Sequence, residues 1–251
     1  SWLNPRACGI YTLPDHVQFT CARSTFEAYV PAPLLDRAEA CLGSVVSEIV
    51  QVLAPWFASP AQLLPPISLV FVPLPQSGSY MVQGNMLVLD EGIFLFEKGL
   101  PEKQIFATSL LAEAIASLWI ARVFPTFSDP WIPAGLAAMF AERFVSFHFG
   151  VNEAAFRLEA RRTKLHNMVE RGLDWRPLCV IGEDSDPMMR IKSGLVMECL
   201  VQSVVGEAEM RNALHELGHA NKSVDTDAFF YLLVCTVGQH TEAGRALTPF
   251  C

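Results

Sequence analysis

Charge is scarce in this chain. Only 18% of its 251 residues are Asp, Glu, Lys or Arg, and none of these lies between Ile49 and Leu89. That uncharged stretch is still no membrane span, because Pro55, Pro60, Pro65, Pro66, Pro73 and Pro75 break it, and a single helix cannot run through them. A basic surplus is also missing. The 18 basic side chains face 26 acidic ones, for a net charge of -8, which gives no general attraction to a phosphate backbone. The seven cysteines include no Cys-x-x-Cys and are odd in number, so no disulfide framework is legible and a reducing compartment is expected. There is no Gly-x-Ser-x-Gly, no cysteine placed beside a histidine and no glycine-rich phosphate loop, which excludes the usual signatures of nucleophilic hydrolases and nucleotide-binding folds. Internal repeats and low-complexity segments are absent too.

What the chain does have is apolar material: 51% of it is hydrophobic. That suffices for one large domain or two tightly packed subdomains. It also suggests a piece of something larger, with faces that other domains cover. Val17–Cys21 and Phe26–Val30 read as strands that end a preceding β domain, with Pro31 and Pro33 marking a junction. One helix is expected from Pro33 to Phe57. A small sheet follows, with Ile67–Val72, a hairpin of Tyr80–Val82 and Asn85–Leu89 closed near Gly84, and a short strand at Gly92–Phe96. Helices then run from Pro101 to about Val123, from Trp131 to Phe149 (capped by Ser128-Asp129-Pro130), and from Glu153 to Arg171 with Asn152 as a candidate cap. Further helices are expected at Arg190–Val205, Glu207–His219 and Thr226–Val237. Sheet first and helices after make an α+β fold, divided as 1–30, 31–100 and 101–251.

The stretch Gln104 to Phe149 organises the chain. Zincins place two histidines one turn apart on a helix, with a glutamate beside the first as general base and a third ligand on the next helix. Here Glu113 matches the base, whereas Ala112 and Ala116 stand at the histidines. The second helix opens Trp131-Ile132-Pro133-Ala134-Gly135-Leu136-Ala137, similar to the gluzincin aminopeptidase signature Trp-Leu-Asn-Glu-Gly-Phe-Ala, with Ala134 at the ligand glutamate. The interval between Ala116 and Ala134 is one residue shorter than that family's. The substrate loop Gly-Ala-Met-Glu-Asn would fall on Gly78–Gln83 without its carboxylate, and the transition-state tyrosine near Ile191–Gly194 is missing. The bland reading is two packed helices with small residues at their crossing.

The strings FSDPWIPAGLAAMF, FGVNEAAF (Phe149–Phe156) and IKSGLVMECLVQSVVGEAEM (Ile191–Met210) resemble the aminopeptidase-like subunits of the general transcription factor TFIID, degenerate members of the gluzincin aminopeptidases. The similarity is scattered over roughly residues 10–250. It implies a thermolysin-like fold without zinc, no cofactor and no small-molecule substrate. It also implies a nuclear scaffold that contacts other TFIID subunits and lies near promoter DNA, with no membrane role.

Two rival readings remain. His215-Glu216-Leu217-Gly218-His219 is a literal His-Glu-x-x-His and would make the chain a zinc metallopeptidase; a helix end with a favourably placed histidine is the plainer account. A degenerate aminopeptidase that binds peptides without cleaving them is the other. Arg157, Arg161 and Lys164 share a helix face and could hold a phosphate or an acidic partner, although Glu153, Glu159 and Glu170 can pair with that helix's cations and leave only a solvated face. Glu183, Asp184 and Asp186 lack the spacing of a calcium loop.

Overall fold

The computed structural model describes residues 16–20, 26–42, 44–57, 67–74, 80–95, 101–173, 178, 187–219, 223–238 and 241–247. The acidic run at 183–186 lies outside them. Five strands form one mixed sheet: β1 (His16–Thr20), β2 (Phe26–Pro31), β3 (Ile67–Val72), β4 (Tyr80–Gln83) and β5 (Met86–Asp90), ordered β1-β2-β3-β5-β4. The outer pairs are antiparallel and the two inner pairs parallel. Strand alternation gives the sheet two apolar faces. Phe26, Ala28, Val30, Leu69, Phe71, Leu87 and Leu89 join the main core, whereas Val70, Val72 and Val88 form a small cluster with Tyr29 and Leu74 on the other side. The sheet runs across the expected junction at Pro31, because β2 pairs with β3 from Phe26↔Ile67 to Tyr29↔Val70.

Two sequence expectations change here. The single helix over 33–57 is α1 (Leu35–Leu42) and α2 (Val45–Leu53), flanked by short 3-10 turns at Ala32–Leu34 and Ala54–Trp56. The expected strand at 92–96 is instead the helical turn α3 (Glu91–Phe94). Asp90 explains it: its carboxylate accepts from the Ile93 amide at 3.2 Å and so caps a helix start.

The helical layer comprises α4 (Pro101–Val123), α5 (Trp131–Phe149), α6 (Val151–Glu170), α7 (Pro187–Cys199) with a π-helical turn at Leu200–Val205, α8 (Glu207–Gly218), α9 (Thr226–Val237) and α10 (Glu242–Leu247). Length and composition alone would let α4 cross a bilayer, but 67% of its most apolar window is buried inside the fold. The core between these helices is aromatic. Phe57 is fully buried and lies 5.1–5.4 Å, centroid to centroid, from Trp119, Phe124 and Phe140.

Small residues let α5 and α7 approach. A Cβ at Gly135 would meet the Ser193 carbonyl oxygen at 2.8 Å, and one at Gly194 would meet the Ala138 Cβ at 2.9 Å. Gly135→Ala must therefore push backbone apart. A loss of about 1–3 kcal/mol is expected from such overpacking, read as a lower denaturant midpoint with an unchanged slope. An unchanged midpoint would show that the crossing is loose.

The turn between α4 and α5 is held from a distance. Asp129 does not cap α5, whose first turn follows Pro130 without a side-chain cap. Its carboxylate accepts from the Thr226 amide at 2.7 Å and from the Thr226 hydroxyl at 2.5 Å, at the start of α9. The Trp131 indole N–H donates to the same hydroxyl at 2.8 Å. Ser128 and Val224 add two backbone bonds of 2.9 Å, Ser128 N–H to Val224 and Val224 N–H to Thr126. Asn152 likewise does not cap α6; Gly150, with φ 95, precedes that helix.

Candidate functional site

The residues singled out on α4 lie deep. Ala112 and Ala116 are fully buried, one turn apart, while Ala134 is half-buried in the first turn of α5. Glu113 lies between the two buried alanines, with its side chain 14% exposed. Its carboxylate is already engaged. Arg190 of α7 donates to Glu113 Oε1 through Nε at 2.9 Å and through a second guanidinium nitrogen. Tyr80 at the start of β4 reaches the same oxygen at 3.4 Å and Ser117 Oγ at 3.2 Å. Ser117 donates its own proton to the Glu113 backbone carbonyl at 2.9 Å. The Tyr80 hydroxyl must then donate, shared between Ser117 Oγ and Glu113 Oε1. Arg190 also sits over the Tyr80 ring, 5.5 Å from its centroid.

The electrostatics follow from this geometry. Burial, with the Glu113 charge second, pushes the Tyr80 phenol far above its ordinary value, and Arg190 and Ser117 only partly offset that. Burial works against the Arg190 charge, but Glu113 and Tyr80 outweigh it and raise that pKa. A tyrosine in the unfolded chain titrates near about 10. The folded form keeps its proton above that pH, so the stability Tyr80 contributes is complete below the unfolded value and is lost as pH rises past it. Tyr80→Phe is expected to flatten the alkaline limb of the stability–pH curve. A limb as steep as the parent's would remove Tyr80 from the account.

Zinc does not fit positions 112, 116 and 134. An alanine methyl group carries no lone pair, and the carboxylate beside them is held by a guanidinium. Among the described residues, no three His, Cys, Asp or Glu side chains gather as a metal would require.

The His215–His219 motif falls on the last turn of α8, with His219 exposed at the C-cap. His215 Nε2 lies 3.1 Å from the Pro55 carbonyl oxygen, to which it can only donate. Nε2 is thus engaged with the backbone, which leaves Nδ1 as the nitrogen a metal could meet. His240, the histidine that could serve this motif as a third ligand, lies outside the described residues.

The basic face of α6 is partly committed within the chain. Arg157 pairs with Glu153 at 2.9 Å, and Arg161 pairs with Glu142 of α5, a carboxylate only 4% exposed. Burial pushes the Glu142 carboxyl up, Arg161 pulls it down, and neighbouring Glu198 adds to the upward push. Glu198 in turn accepts from Arg143 at 2.9 Å and from Gln202 at 2.5 Å. Along α6 itself, Glu159 faces Arg162 at 3.5 Å and Glu170 faces His166 at 3.1 Å. Lys164 is exposed.

Sequence reasoning missed Arg190 and Ser117. Arg190 is 77 residues from the carboxylate it holds, and no local pattern joins them.

No protein-family model matches the chain, and no curated protein sequence does. Solved structures do match. The structure of native yeast LTA4 hydrolase aligns with a TM-score of 0.70 at 14% identity over 94% of this chain and 38% of that one. Native leukotriene A4 hydrolase from Saccharomyces cerevisiae gives 0.72 at 14% identity, over 92% and 38%. The yeast enzyme in complex with bestatin gives 0.68 at 14% identity, over 93% and 37%. The fold is that of part of LTA4 hydrolase. The expected thermolysin-like fold with its small mixed sheet holds. The chain spans less than two fifths of these neighbours' length, and at 14% identity the likeness speaks for the fold alone.

Proposed function

We propose that this chain is a non-catalytic pseudo-aminopeptidase scaffold of the kind its motifs resemble, the aminopeptidase-like subunit of TFIID. It acts in the nucleus, in promoter recognition and preinitiation-complex assembly, through contacts with other TFIID subunits and a joint contact with promoter DNA. Residues 31–100, whose sheet β1 and β2 extend, and residues 101–251 are the two halves of its thermolysin-like domain. One observation carries the reading: Glu113 is tied to Arg190 and Tyr80, between two buried alanines that offer a metal nothing. With no metal-bound water beside it, a general base at that position has nothing to activate.

Zinc titration followed by desalting and metal analysis tests the non-catalytic half. Well below one equivalent should remain. One tightly held equivalent, lost in the His215→Ala/His219→Ala double variant, would establish the metallopeptidase reading in its place. Retention of TFIID subunits from nuclear extract on the immobilised chain, identified by mass spectrometry, tests the scaffold half. Recovery of none of them would sink the TFIID assignment.

A further inference from the structure

A cavity of about 350 Å³ opens among α1, α2, α3, α4 and the last turn of α5. Its inner wall is apolar, with Leu42, Phe94, Ala107 and Leu111 each no more than 3% exposed. Two polar groups on it are free for a ligand. Thr108 is 6% exposed, yet its hydroxyl has no hydrogen-bond partner among the described residues. A hydroxyl inside a helix commonly donates to the carbonyl four residues back. Ser117, Ser193 and Thr236 do so, and Thr108 does not. An unpaired buried hydroxyl is costly, and the cavity that Thr108 lines is where its partner must come from. His148 lines the same cavity and is held in place from outside it. Its Nδ1 lies 2.5 Å from Glu48 Oε2, and its ring stacks on Phe144 with centroids 5.4 Å apart. Nε2 is the ring nitrogen left over for a ligand.

The absence of charge selects the ligand. No Asp, Glu, Lys or Arg is among the described residues that line the cavity, and His148 already has the Glu48 carboxylate. A charged head group would enter a largely apolar space without a counter-ion. We infer that this cavity binds a small neutral alcohol, its apolar body against Leu42, Phe94 and Leu111 and its hydroxyl between Thr108 and His148. A hydroxyl both donates and accepts. It can give its proton to Nε2 of a neutral imidazole whose Nδ1 donates to Glu48, and accept one from Thr108. An apolar pocket with a few converging polar groups is the usual form of a small-molecule site. The inference goes beyond the scaffold reading and does not rest on it.

The probes are 1-hexanol, hexanoate and hexylamine, which share one chain and differ in the charge of the head, titrated at neutral pH and followed by NMR. Hexanol should bind saturably and at least about tenfold more tightly than either charged probe, a difference near 1.4 kcal/mol. The nitrogen resonance of His148 Nε2 should move with it. Thr108→Val removes the hydroxyl at nearly constant volume and should weaken hexanol several-fold, and Thr108→Ser should restore most of that loss. Because the hydroxyl bonds to nothing among the described residues, Thr108→Val should fold as the parent does. Ala107→Leu should fill the cavity and abolish binding, whereas Tyr231→Ala, exposed on α9, should change nothing. Equal affinity for the three probes would overturn the inference. So would the absence of saturable binding, which would leave the cavity to water, or hexanol binding as tight in Thr108→Val as in the parent. Loss of hexanol binding with TFIID subunits still retained removes only this site, and the reverse outcome removes only the TFIID assignment.

Discussion

Placing histidines at Ala112 and Ala116 should cost the chain about 2–6 kcal/mol, taking roughly 1–3 kcal/mol for each overpacked position. Both methyl groups are fully buried, as are Ala114, Ile115 and Leu118 on the same helix. An imidazole there has no space and brings two polar nitrogens with no partner provided for them. A domain of this size has only about 5–15 kcal/mol of stability to lose, so the double variant should be poorly soluble or partly unfolded. The measurement is urea unfolding of the double variant with and without zinc. If the variant keeps parental stability and gains a zinc-dependent rise in midpoint, a metal-sized space is still present, and the proposed loss of the site was recent and shallow. If it is destabilised and zinc does not help, core packing has taken over the site.

The second large effect is Phe57→Ala, expected to lose about 3–5 kcal/mol. This ring closes the 3-10 turn after α2 and packs on Trp119 of α4, on Phe124 in the turn and on Phe140 of α5. It is one of the points where the first third of the chain is fastened to the helical layer. Phe57→Leu keeps most of the volume and should cost clearly less. Equal losses in the two variants would mean that the ring contacts, not the filled volume, hold the junction.

Long periodic elements were legible in the sequence. Ile67–Val72, Pro101–Val123, Trp131–Phe149 and Thr226–Val237 have the bounds that their composition, prolines and glycines predict. Local capping chemistry was less so. Asp90 turned an apolar run into a helical turn, and Asp129 left its own helix to hold Thr226, because a carboxylate serves whichever amide the fold brings to it. The site was half legible. The three alanines could be read from a motif, but the partner of Glu113 could not, since Arg190 reaches it only once α7 has packed against α5. The basic face of α6 was visible as charge. That Arg161 turns inward to a buried Glu142 was not, because burial is a property of the assembled helices.

The clasp between Asp129, Ser128 and Trp131 and the residues Ser223 to Thr226 has a bearing on synthesis. The two ends of each contact are 95–97 residues apart. On a ribosome the α4–α5 hairpin emerges long before its fastening does, and it must wait with Phe127 and Trp131 uncovered. A chaperone that holds apolar hairpins has its window there, and a ribosome paused between Phe149 and Ser223 would prolong it.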